Sequence, residues 1–111
     1  MMENLTAKKC IPCSIGAPTL EPDEIKEYHK SLQDDWKVID NKKIEKTYKF
    51  KNFKEALDFT NKVGNLAEEE GHHPDIYLSW GKVVLQLWTH KIGGLHQNDF
   101  ILAAKIDEIE R

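Results

Sequence analysis

The spacing of apolar residues along the chain switches between a helical period of about 3.6 and a strand period of 2. Ile25, Tyr28 and Leu32 recur at helical spacing behind Pro22, which suits a first helical turn because its missing N–H would be unpaired there anyway. Asp23 and Glu24 favour the positive end of that helix. Residues 36–40 (WKVID) predict a short strand, Asn41-Lys42 a turn, and residues 43–51 (KIEKTYKFK) a second strand. There Ile44, Tyr48 and Phe50 share one face, and Lys46 is the misfit on it. Asn52 caps a second helix over about 53–70, with Ala56, Leu57, Phe59, Thr60, Val63, Leu66 and Ala67 as its apolar stripe and Gly71 as its stop. In Asp75–Trp80 the residues Ile76, Leu78 and Trp80 alternate with Tyr77 and Ser79. Gly81-Lys82 turns the chain, and Val83, Leu85 and Leu87 then oppose Val84, Gln86 and Trp88. A last helix is expected from about Gln97 to Glu110, burying Phe100, Ala103, Ala104 and Ile106.

The order helix, two strands, helix, two strands, helix predicts an α+β fold. Tight turns join each strand pair, so the sheet is four-stranded and antiparallel, with three helices on one face in a two-layer sandwich (α-β-β-α-β-β-α). Residues 1–19 show no period and hold Pro12, Gly16 and Pro18, so they read as an irregular arm; residues 20–111 form one domain. Such a sheet leaves two edges, and an edge can pair with a second copy.

Composition narrows the function classes. The 111 residues carry 16 basic and 19 acidic side chains, a net charge of −3. Nucleic-acid binding by phosphate neutralisation calls for a basic excess, so no nucleic-acid partner is expected. The lysines of the first hairpin fit a solvated strand face, because residues 21–51 hold as many acids as lysines. No apolar run approaches the ~20 residues that cross a bilayer, and Met1 to Thr19 lacks an apolar signal core. No membrane partner and a cytoplasmic location are the default expectations. Cys10 and Cys13 leave three readings open: redox chemistry, half a zinc site completed by histidines, or two reduced thiols in a loose head.

The segment Glu68-Glu69-Glu70-Gly71-His72-His73-Pro74-Asp75 departs from local rules. Three glutamates crowd a helix C-terminus, where the dipole disfavours each by roughly 0.3–1 kcal/mol. Glu68 lies four residues before His72, so a helix continuing through Gly71 would put the carboxylate beside that imidazole. Pro74 pushes His73 to an extended backbone, so the two adjacent histidines point apart. By alternation His90 falls on the Val84/Gln86/Trp88 face. Three histidines and a carboxylate at loop ends make an acid–base set. Solvated loop histidines and a zinc site use the same residues.

Glu68, three residues, His72-His73-Pro74, five residues, Trp80, nine residues, His90, eight residues and Asp99 together resemble the signature of the pterin-4a-carbinolamine dehydratases. Trp36, Tyr48-Lys49-Phe50, Phe53, Ala56, Thr89-His90, Gly93-Gly94-Leu95 and Asp99-Phe100 are similar to landmarks of that family in order, and the head, Lys9-Cys10 through Cys13 to Pro18 and Leu20, is similar to the leader of many prokaryotic members. The resemblance implies the same α+β sandwich. It implies a 4a-hydroxytetrahydrobiopterin dehydratase: an enzyme that removes water from 4a-hydroxytetrahydropterin to give quinonoid dihydropterin, without metal or organic cofactor, in the recycling of a tetrahydrobiopterin-type cofactor. Carried over by position, His72, His73 and His90 are the active-site histidines, supported by Glu68; Pro74, Trp88 and Thr89 lie along the pterin. His96 stands where relatives cap the last helix with serine or threonine, and histidine caps less well. A homodimer or homotetramer is expected from the same resemblance. The alternative is a non-catalytic protein-binding or assembly module on this scaffold.

Overall fold

The computed structural model describes residues 18–32 and 35–109. Cys10, Cys13 and nearly all of the arm lie outside them. In chain order the elements are α1 (Pro22–Lys30), β1 (Lys37–Ile39), β2 (Lys43–Lys49), α2 (Phe53–Glu70), β3 (Asp75–Ser79), β4 (Lys82–Leu87), a 3-10 turn at His90–Ile92, and α3 (Gln97–Asp107). The sheet order is β1-β2-β4-β3 with every pairing antiparallel. The two hairpins therefore meet through β2 and β4, and β1 and β3 are the edges.

Strand alternation sets the two faces. Ile44, Tyr48, Val83, Leu85 and Leu87 are buried against the helices, which contribute Ile25, Ala56, Phe59, Val63, Phe100, Ile101, Leu102, Ala103 and Ile106. Residues at the alternate positions, Thr47, Lys49, Tyr77 and Ser79 among them, face outward. The α+β sandwich read from periodicity is the one observed.

Four local readings change. Trp80 does not continue the buried face; it sits beyond the end of β3 and is exposed. Leu57 is more than a third exposed, so the buried stripe of α2 is narrower than its apolar stripe. Lys46 is no misfit. Its ammonium is buried and contacts Asp107 Oδ1 at 2.7 Å, and the other Asp107 oxygen accepts the Trp36 indole N–H at 2.7 Å. The Tyr48 hydroxyl donates to Asp107 as well, and Lys46 lies over the Tyr48 ring. A buried cation is tolerable with such a partner set. His96, finally, caps α3 well: its Nδ1 accepts the Asn98 N–H at 3.1 Å, and Asp99 returns a carboxylate to the His96 N–H at 2.9 Å.

Candidate active site

The site lies where the chain leaves α2 for β3 and where β4 runs into the 3-10 turn. Asn52 opens α2 by accepting the Glu55 N–H at 2.8 Å. At the far end Gly71 adopts φ +66°, a left-handed conformation that favours glycine, and the helix stops. His72 and His73 then leave along an extended path into Asp75, the first residue of β3.

This stop corrects the expected pairing of Glu68 with His72. With the helix broken, Glu68 Oε2 meets His73 Nε2 at 2.5 Å, in a pair whose side chains are 77% and 60% exposed. His72 turns inward instead. Its Nε2 lies 2.6 Å from Asp99 Oδ1, with Asp99 fully buried in the first turn of α3. An ionised carboxylate only accepts, so this contact puts the N–H of His72 on Nε2 and leaves Nδ1 as the acceptor of the neutral ring.

Asp99 also accepts the Thr89 hydroxyl at 3.0 Å and the His96 N–H at 2.9 Å. Thr89, expected along the ligand, is thus buried behind the site with its hydroxyl engaged. Its backbone closes the next turn: Thr89 N donates to Gly94 O at 2.8 Å, and Gly93, at φ +68°, donates to Thr89 O at 3.0 Å. That closed turn presents His90 to solvent.

His90 projects beside Asp75, with Nε2 at 3.8 Å from Oδ1. The other oxygen, Oδ2, accepts the Trp88 indole N–H at 3.1 Å. The Trp88 and His90 rings stand 4.0 Å apart between centroids. Pro74 lies between His73 and Asp75, on the bend that joins the two parts.

The corner at residues 72–75 and the β4 end at 88–90 therefore form one locus, joined through Asp75, while Asp99 ties His72 to Thr89 beneath it. Glu68 and His73 form its exposed rim. The arrangement offers imidazoles suited to proton transfer, an indole wall and two carboxylates beside the rings. Among the described residues no three His, Cys, Asp or Glu side chains are grouped to hold a metal ion. No described helix is long and apolar enough to cross a membrane.

Sequence spacing did not reveal the roles of Asp75 and Asp99. Asp99 figured only as a spaced landmark, and its distance from His72 in sequence hides the contact. Asp75 stands at the start of the predicted strand 75–80. Its place next to a proline-linked histidine pair was the available signal.

Comparison with known proteins places the whole chain. The sequence profile described as pterin 4 alpha carbinolamine dehydratase matches residues 18–109. A protein of Alkaliphilus metalliredigens, named provisionally as a pterin-4-alpha-carbinolamine dehydratase, is 60% identical over 107 residues, covering 96% of each chain. A Rickettsia canadensis protein of the same provisional name is 52% identical, covering 96% of this chain and 97% of its own. Among solved structures, a transcriptional coactivator/pterin dehydratase from Brucella melitensis superposes with a TM-score of 0.74 at 30% identity, covering 81% of this chain and 96% of its own. A pterin dehydratase-like RuBisCO assembly factor of the alpha-carboxysome shares the fold, with a TM-score of 0.57 at 22% identity over 68% of this chain and 88% of its own. With the match running from the residues before α1 to the end of α3 and through every histidine of the site, this chain belongs to the pterin-4-alpha-carbinolamine dehydratase family.

Proposed function

We propose that this protein dehydrates 4a-hydroxytetrahydropterin to quinonoid dihydropterin, as part of tetrahydrobiopterin-type cofactor recycling. The observation that carries this reading is that His90 and the Trp88 indole from one turn lie beside Asp75, two residues after His73 in the other turn, with a carboxylate near each of His72 and His90. The reaction breaks the C4a–O bond and forms C4a=N5. One proton must reach the departing oxygen, which leaves as water, and one must leave N5. His72, with its N–H engaged by Asp99, offers Nδ1 as the acceptor for the N5 proton. His90 then serves the leaving hydroxyl. His73, held by Glu68 at the rim, orients the ring, and Trp88 gives it a flat neighbour. Each acid–base group is worth about 10²–10⁴-fold.

The test is turnover of freshly generated 4a-hydroxypterin by chelator-treated protein, followed by absorbance of the quinonoid product. His72→Ala should lose about 10²–10⁴-fold in kcat. A wild-type-like rate in that variant rejects the role of His72. A folded wild-type protein that does not accelerate dehydration rejects the enzyme reading and leaves the assembly module.

We extend the reading to self-association. Tyr77 on the edge strand β3 and Trp80 just beyond it are exposed large apolar residues, which suits a homodimer or homotetramer. Sedimentation velocity decides it; a monomer at micromolar concentration removes this part.

A further inference from the structure

Asp75 has no part in the two proton movements, yet it touches both groups that the β4 end contributes. Its Oδ2 accepts the Trp88 indole N–H at 3.1 Å, and its Oδ1 faces His90 Nε2 at 3.8 Å. Its strand partner is Gln86. The Gln86 amide nitrogen is engaged by Glu45 at 2.6 Å on the far side, and its carbonyl takes Lys43 at 3.4 Å. So the cross-strand neighbour makes no hydrogen bond to Asp75 among the described residues. No lysine or arginine among the described residues pairs with it either. Among the described residues the carboxylate is left to the two rings, which themselves lie 4.0 Å apart.

Geometry gives the two oxygens different work. The indole bond is of ordinary length and fixes the carboxylate. The His90 distance exceeds a hydrogen bond, so that oxygen acts on the imidazole by charge, directly or through a bridging water. We propose that Asp75 is a positioning residue, which holds the Trp88 wall and the His90 imidazole as one unit. The kinetic part rests on the dehydratase reading above; the spectroscopic part does not.

The two jobs are separable by substitution. Asparagine keeps a carbonyl that accepts the indole N–H and loses the charge toward His90. Alanine loses both. Asp75→Asn should leave KM within about twofold and lower kcat about tenfold, the scale of coupling within one hydrogen-bonded group. In a His90→Ala background the same change should alter kcat by less than about twofold, because the imidazole it acts on is gone. Equal kcat losses in both backgrounds, or no loss in either, overturn the proposal. In parallel, the indole N–H resonance of Trp88, assigned with Trp88→Phe, should move in Asp75→Ala and stay near its place in Asp75→Asn. The His90 ring resonances should move in both. If the wild-type protein proves unable to dehydrate the pterin, the function reading fails while these resonances still judge Asp75. Signals of both rings unmoved in Asp75→Ala overturn the positioning role whatever the activity.

Discussion

Replacing Asp99 by alanine should damage fold and site together, and the size of the loss can be worked out. Its carboxylate is fully buried and takes three donors: His72 Nε2 at 2.6 Å, Thr89 Oγ1 at 3.0 Å and the His96 N–H at 2.9 Å. Hydrogen bonds to a charged group contribute about 1.5–3 kcal/mol each. A naive sum would reach about 9 kcal/mol. Two effects reduce it. The alanine variant no longer desolvates a carboxylate, and removing one member of a buried charged set costs about 3–5 kcal/mol in total. His72, 12% exposed at its side chain, can also find water. The Thr89 hydroxyl cannot do so easily, since the residue is 4% exposed. The expected loss is therefore about 3–5 kcal/mol.

Urea unfolding, read by the emission of the buried Trp36, measures it. At a slope of about 1.5 kcal/mol/M the midpoint should fall by roughly 2–3 M. Asp99→Asn keeps the shape but turns an NH2 group toward one of three donors, so it should lose a smaller amount, about 1–3 kcal/mol. Its kcat should fall by at least about tenfold, toward the 10²–10⁴ of losing the imidazole itself, because the tautomer of His72 is no longer fixed. An alanine variant within about 1 kcal/mol of the parent, below the range for one orphaned buried donor, would show that Asp99 does not join site and core as described.

Gly71→Ala should cost about 1–2 kcal/mol in thermal or urea denaturation, because φ +66° is unfavourable for an L side chain. Asp107→Ala should destabilise by about 3–5 kcal/mol, since it leaves the buried Lys46 ammonium with only the exposed Asp35 carboxylate at 4.0 Å; Lys46→Met should cost less, because Trp36 and Tyr48 still donate to Asp107. Equal losses in those two urea titrations would refute the ordering. Glu68→Gln should change stability by less than about 1 kcal/mol, because the pair with His73 is solvent-exposed. In the dehydration assay, a Glu68→Gln loss as large as that of His72→Ala would instead place the rim carboxylate in the chemistry.

Periodicity made the layers legible because each face of a strand or helix is a local property of the chain. The same holds for Asn52 and Gly71, whose side chain and conformational freedom act within a few residues. Partners across the fold were not legible. His72 and Asp99 are 27 positions apart, and Lys46 and Asp107 are 61 apart. Nothing in a spacing rule pairs them. The Glu68 expectation failed for the opposite reason: it applied the i,i+4 rule across a residue whose positive φ ends the helix. One residue of backbone conformation moved the carboxylate from His72 to His73.

The same break explains why the buried side of the site is built from α3. Once His72 leaves the axis of α2, its nearest carboxylate belongs to the first turn of a different helix. There the residue at that position already serves a capping box with His96. Asp99 can hold His72 at little extra cost because the helix N-terminus stabilises its charge whether or not the imidazole is present. Asp75 has no such support. It opens an edge strand with its side chain 38% exposed, and its partners are the two rings it orients. Substitutions at the two aspartates should therefore separate: Asp99 carries fold and function jointly, whereas Asp75 reports on the site with little change in the unfolding curve.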